Sequence, residues 1–415
     1  MGNHIMSKQN IYLLGGHQSD FSRNVLRDGG SLAELFVDTV RSGLQSCQLD
    51  PADVQVGHVG NFVAELFCGQ SHLGGFFGHV DPAMANMPSS RHEAACASGS
   101  MALLAAMADL ESGRYDLACV LGIEIMRNIP GDQAANNLRG AAWADKEWQQ
   151  TEYLWPCAFN QMIDLYDTRY GVDKSHLAAI SQQNFASARH NPNAQSRSWQ
   201  FGEQSFSEND ADNPIVSGQI RRQDCGQLTD GSAVAFLASE KRAKQYAKTH
   251  GVSLDSIPLI KGWGHINAPL LFEEKLRLSE PAGYLFPHVR ELFRQTLARA
   301  GMPDITAVDG LEVHDCFNIT EYMIIDHCGL YAPGEAWKAI ELEDITPGGK
   351  LPINMSGGLI GLGHPVGATG VRMALDCYKQ ITATAGDYQI EGARNLMTFN
   401  LGGSTTTCAS LIIGR

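Results

Sequence analysis

The segment Ala94-Ala95-Cys96-Ala97-Ser98-Gly99-Ser100 sets one thiol in a run of small residues, after an extended stretch and before an Ala-rich helical run starting near Met101. A cysteine at the first turn of a helix faces unpaired backbone N–H groups and the positive end of the dipole, which favour a thiolate and, later, an oxyanion. That is the setting of an acyl-accepting nucleophile, although a lone cysteine in such a turn is more often a small buried hydrophobe. Two later segments decide between these uses. Gly361-Leu362-Gly363-His364-Pro365-Val366-Gly367-Ala368-Thr369-Gly370 is a second small-residue turn, ahead of a helical run near Val371. Its proline restricts His364 to extended geometry, so the ring is aimed, and its glycines let the backbone approach a substrate closely. Glu312-Val313-His314-Asp315-Cys316-Phe317 closes an apolar strand-like stretch. Residues two apart on a strand share a face, so His314 and Cys316 can point into one site.

These segments resemble the motifs of the thiolases. Ala95-Cys96-Ala97-Ser98-Gly99 is similar to their nucleophile motif, the turn from Gly363 to Gly370 to their histidine loop, and His314-Asp315-Cys316-Phe317 to the variant of the sterol-carrier-protein-type branch. Most thiolases carry a Cys-X-Gly near the C-terminus whose thiol is the acid/base, but the matching stretch here, Phe399-Asn400-Leu401-Gly402-Gly403-Ser404, has no cysteine. In the sterol-carrier-protein-type branch the second thiol comes from the histidine-aspartate-cysteine-phenylalanine segment, so the resemblance gives that role to Cys316. It also implies an α/β protein with the thiolase fold, two duplicated βαβαβαββ halves forming a five-layered αβαβα core. Residues 8–125 and 225–252 would form the N-terminal half, 126–224 an inserted loop domain over the active site, and 253–415 the C-terminal half.

The resemblance assigns roles residue by residue. Cys96 carries the acyl group, His364 is the base that activates it, and Cys316 moves the substrate α-proton. His314 completes one oxyanion hole with His364, and the backbone N–H groups of Cys96 and Gly402 supply the other. The substrate is a coenzyme A thioester, with no tightly bound cofactor and no metal required. No Walker-type loop or dinucleotide glycine fingerprint is present in the sequence. Arg221 and Arg222 are the expected coenzyme contacts, Arg197 and Lys241 weaker ones, and Gly357-Gly358 is read as clearance for a pantetheine arm. A homodimer or tetramer is the expected assembly.

Three other readings stay open. A decarboxylating ketosynthase-like enzyme also uses one cysteine and two histidines; Cys316 argues against it, because decarboxylation makes the carbanion without a second thiol. An acyltransferase or retro-aldolase subunit would work with a small OB-fold partner, which would co-purify. A non-catalytic lipid-binding or scaffold subunit would form no acyl adduct.

Composition bounds these readings. At 415 residues the chain exceeds one compact core, and 44% hydrophobic content with 43 glycines suits a packed α/β protein with many tight turns. A net charge of −14 argues against nucleic acid or an anionic membrane as a general partner. The ten cysteines have no C-x-x-C spacing, so neither a zinc site nor a disulfide framework is indicated, and a reducing cytoplasmic setting is expected. The first residues do not read as a charged-then-apolar leader, no apolar run reaches about 18 residues and Ile413-Gly414-Arg415 does not read as a peroxisomal address, so neither secretion nor a membrane span is expected. Met1 to Met6 carry no readable pattern. Ser31 is the expected cap of a helix to Leu44, and Cys119 a core thiol in a central strand. From Met126 to Asp224 the sequence reads as helix and loop, with Trp143, Trp148, Trp155 and Trp199 among many Asn and Gln residues.

Overall fold

Period-two alternation in the longest apolar strands assigns their side chains to two cores at once. The computed structural model describes residues 9–279 and 283–415, so Met1 to Met6 lie outside the described residues. In chain order its strands are β1 (Ile11–Gln18), β2 (Val56–Gly60), β3 (Ser89–His92), β4 (Leu117–Glu124), β5 (Ile215–Ser217), β6 (Ile220–Arg221), β7 (Gly231–Ser239), β8 (Leu259–Asn267), β9 (Gly310–Val313), β10 (Asn395–Gly402) and β11 (Thr407–Gly414). In β7, Ala233, Ala235 and Leu237 share a core with the Ser98–Glu111 and Thr369–Ile381 helices. The alternate residues Val234, Phe236 and Ala238 share another with the Leu32–Ser46 and Glu240–His250 helices. In the other half, Leu396, Leu411 and Ile413 face the same central helix pair. Met397, Phe399, Leu401 and Ile412 turn instead toward the Pro287–Arg299 and Asn318–Cys328 helices. The result is five layers, with helices outside, between and outside the two halves of one nine-stranded sheet. Each fully buried leucine of the central pair, such as Leu103 or Leu110, contributes about 2 kcal/mol of burial free energy.

The pairing pattern shows the duplication. One half runs β3-β2-β4-β7-β1 and the other β8-β11-β10-β9, the two meeting where Tyr12 of β1 pairs with Leu259 of β8. The parallel pair β2 and β4 corresponds to β9 and β10, and the antiparallel pairs β4–β7 and β1–β7 to β10–β11 and β8–β11. The counterpart of β3 is only a bridge from Ile353 to Leu311. There the Asn354 side chain takes over from the backbone, accepting the Val313 N–H at 2.8 Å.

Local sequence accounts for the element ends. Ser31 caps the first helix as expected, its hydroxyl accepting the Glu34 N–H at 3.2 Å, and Cys119 is fully buried in β4. Between Met126 and Asp224 the chain adds nothing to the main sheet. It forms the Leu154–Tyr170 and Lys174–Ala188 helices and the β5–β6 hairpin. Phe159 from the first of these helices lies 4.5 Å, ring centre to ring centre, from Phe317, just beyond Cys316.

Candidate active site

Two equivalent turns, one from each half, meet at the ends of the central helices. Cys96 lies in the 3-10 turn Ala95–Ala97 that feeds the Ser98–Glu111 helix, and His364 precedes the turn Val366–Ala368 that feeds the Thr369–Ile381 helix. Ala95 holds φ +50, a left-handed conformation costing about 1 kcal/mol for a residue with a side chain. The glycines of the two turns serve each other. A Cβ on Gly99 would lie 2.7 Å from the Gly367 carbonyl, and one on Gly370 2.3 Å from the Ser100 nitrogen. The expectation that the histidine-loop glycines clear a substrate is thus corrected: at these positions the close approach is turn to turn.

The Cys96 sulfur and one ring nitrogen each of His314 and His364 lie within 4.8 Å of one another. The two rings stand nearly perpendicular, at 89°, with centres 5.1 Å apart. Cys96, Cys316 and His364 line a cavity of about 370 Å³ whose remaining wall is mostly apolar, including Phe62, Leu138 and Trp155. The sequence motifs on both halves therefore converge on one space.

Hydrogen bonds fix the two histidines in opposite tautomers. Asn400 Nδ2 lies 3.1 Å from the Cys96 carbonyl oxygen, so it must be the amide nitrogen, and its oxygen accepts from the Ser100 hydroxyl at 2.8 Å. The same Nδ2 donates to His314 Nδ1 at 2.9 Å, leaving the proton of His314 on Nε2. The Thr369 hydroxyl donates to the Pro365 carbonyl at 3.2 Å, so it accepts the His364 Nδ1 proton at 2.7 Å and leaves Nε2 with a lone pair. Neither Nε2 atom has a protein partner among the described residues. His314 thus presents a donor and His364 an acceptor. The cysteine and two histidines are close enough to share an ion, but a protonated His314 Nε2 is no metal ligand.

Burial sets the charges. It pushes the Cys96 thiol up to about 12, with a hydrogen bond from the Gly403 backbone pulling the other way. It pushes His364 down to about 3, helped by the Arg372 charge, and His314 well below the usual imidazole range. The dipole-stabilised thiolate expected from the sequence gives way to desolvation, and the resting pair is thiol and neutral imidazole. Burial, then the neighbouring Cys96, raises the Cys316 thiol well above its ordinary value.

Several expected residues are displaced from their assigned tasks. Beside the N–H of Cys96 itself, the backbone N–H at the Cys96 sulfur belongs to Gly403 and not to Gly402; Gly402 packs against the Cys96 turn, where a Cβ would meet the Ala94 carbonyl at 2.2 Å. Gly357 and Gly358 do not line the cavity. They are buried against Ala188 and the Asp315 carboxylate, both with positive φ, so they clear protein and not a pantetheine arm. Arg221 faces away and is tied to Asp210 and the Asn213 carbonyl, each at 2.7 Å. Arg197 is engaged by Asp20, and Lys241 by Asp116. Arg222 does line the cavity and is exposed, with no side-chain ion pair among the described residues.

Sequence reasoning missed the supporting residues. Thr369 stood inside the histidine turn and Asn400 inside the cysteine-free stretch, yet only their contacts reveal what they do. Thr229 receives the His364 backbone N–H at 2.9 Å. Glu124 collects the backbone N–H groups of Phe62, Val63 and Gly367, joining the cavity wall to the histidine loop. A third thiol, Cys225, also lines the cavity.

Comparison with known proteins gives the family. Residues 17–201 match the family model described as thiolase, N-terminal domain, and residues 274–415 the model described as thiolase C-terminal domain-like. The chain belongs to the thiolase family. It is 28% identical to an acetyl-CoA acetyltransferase of Methanothermobacter thermautotrophicus, over 93% of this chain and 95% of that one. It is 26% identical to human sterol carrier protein 2, over 94% of this chain and 70% of the relative. Among solved structures, an Ltp2-ChsH2(DUF35) aldolase superposes with TM-score 0.79 over 98% of both chains at 18% identity. Human mitochondrial 3-ketoacyl-CoA thiolase in complex with CoA gives 0.70 at 15% identity, again over 98% of both. At these identities the structural likenesses speak for the fold alone.

Proposed function

We propose that this protein is an acyl-CoA C-acyltransferase that forms an acyl-cysteine on Cys96 and makes or cleaves a carbon–carbon bond next to a thioester. The observation that carries the reading is that Cys96, His364, Cys316 and Gly403 line one cavity, with a ring nitrogen of His364 and one of His314 within 4.8 Å of the Cys96 sulfur and of each other. His364 Nε2 takes the thiol proton as sulfur attacks the thioester carbonyl, and returns it to the departing coenzyme A thiolate. His314 Nε2–H and Gly403 N–H each offer a donor to a developing oxyanion. Cys316, protonated at rest, exchanges a proton with the substrate α-carbon in the second half-reaction.

Coenzyme A enters as substrate, with Arg222 the cation that meets its phosphates at the cavity and residues 126–224 acting as the loop domain above it. A homodimer or tetramer in the cytoplasm completes the reading. Among the described residues no helix is long and apolar enough to cross a membrane. The second reading, a retro-aldolase or acyltransferase subunit with a small OB-fold partner, is separated by the same assay. Purified protein given acetoacetyl-CoA or a longer 3-ketoacyl-CoA with free coenzyme A should yield thiolysis products, and acetyl-CoA alone should yield condensation. Turnover only after addition of a co-purifying small subunit would replace the first reading with the second.

A further inference from the structure

We propose that Lys275 is a positioning residue for the Cys96 site, holding the 403–406 turn so that the Gly403 N–H meets the sulfur. Lys275 lies on the Phe272–Arg277 helix and is completely buried. Its three ammonium protons are all used, on the Leu270 carbonyl at 3.2 Å, the Ser404 hydroxyl at 2.7 Å and the Thr406 hydroxyl at 2.8 Å. Two of these three bonds grip the turn that carries Gly403. No carboxylate among the described residues lies within ion-pair distance of it. A buried ammonium without a partner carboxylate is an expensive way to fill space, and an apolar side chain of similar size would do so at lower cost.

The turn needs holding. Gly403 has φ +64 and Thr405 φ +66, so a residue with a side chain is kept in a left-handed conformation two positions from the functional N–H. His288 braces it as well, its Nε2–H shared between the Thr405 carbonyl at 3.0 Å and hydroxyl at 3.1 Å. Burial lowers the Lys275 pKa to about 8, opposed by the charge of nearby Glu147 and by Cys408. Glu147 is itself occupied, accepting the Phe272 and Trp143 backbone N–H groups. The ammonium is therefore free to act on the turn.

The proposal rests on the acyl-cysteine reading of Cys96, and two measurements keep the failure of one apart from the failure of the other. The first is the pre-steady-state burst of thiol release from acyl-CoA in the parent, Lys275→Met and Ser404→Ala. The burst rate should fall tenfold or more in Lys275→Met and at least threefold in Ser404→Ala, with KM within twofold. The burst amplitude should follow only the folded fraction. Ser404→Ala keeps the ammonium and removes one of its grips, so a loss there assigns the effect to position and not to charge, and it decides the matter if Lys275→Met does not fold. The second measurement, alkylation of Cys96 by iodoacetamide at pH 8 read by peptide mass, needs no acyl transfer. It should slow about threefold or more, since losing thiolate stabilisation lowers the thiolate fraction more than it raises nucleophilicity. A parent without a burst sinks the acyl reading and leaves the alkylation comparison to judge Lys275. Variants that alkylate within twofold of the parent, or that lose amplitude without rate, overturn the positioning role.

Discussion

His364→Ala is expected to abolish the burst of coenzyme A release, slowing acylation by about 10³-fold or more, in the upper part of the range for a lost general base. The size follows from the thiol. With Cys96 pushed up to about 12, deprotonation near pH 8 without a base costs about four pKa units, or about 5 kcal/mol. His364 Nε2 carries the open lone pair at the site, since Thr369 holds the His364 Nδ1 proton and the lone pair of His314, on Nδ1, is taken by Asn400. Stopped-flow detection of the released thiol measures the effect. A burst at the parental rate would show that another group activates Cys96.

Cys316→Ala is expected to separate the two half-reactions. The variant should still acylate Cys96, because in the proposed mechanism that step uses His364 and the two oxyanion donors. It should lose condensation, thiolysis and exchange of the acetyl-CoA α-protons with deuterated solvent, because no thiol stands at position 400 to replace it. Proton exchange followed by NMR isolates the α-carbon step from carbon–carbon bond formation. Condensation retained within about threefold, a barrier change under about 1 kcal/mol, would make Cys316 a wall residue. Cys225 would then be next in line, since it lines the same cavity, with its thiol donating to the Arg221 carbonyl at 3.3 Å.

The residues proposed to carry the chemistry were legible because they sit in short local motifs. Cys96, His314, Cys316 and His364 each announce themselves by a turn or strand end, and the repeated strand, turn and helix plan placed two of them in opposite halves. What ties them together was not legible, because it depends on contacts between distant segments. Asn400 fixes the His314 tautomer through a bond to Ser100, three hundred residues earlier. The N–H at the Cys96 sulfur comes from Gly403 and not Gly402 because β10 ends in a left-handed turn, which a pattern of consecutive glycines does not place to the residue. The Asn318–Cys328 helix escaped notice because it is buried on every side and has no apolar stripe. Charge pairing was equally invisible: Arg221 and Arg222 look alike in sequence, yet one is bound by Asp210 and the other faces the cavity.

Mass spectrometry of the intact protein after mixing with acetyl-CoA, followed by peptide mapping, tests the central claim most directly. The account predicts one acetyl adduct, on the peptide containing Cys96, that is discharged by free coenzyme A and absent from Cys96→Ala. An adduct that persists in Cys96→Ala, or that maps to Cys316 or another residue in the parent, would contradict it.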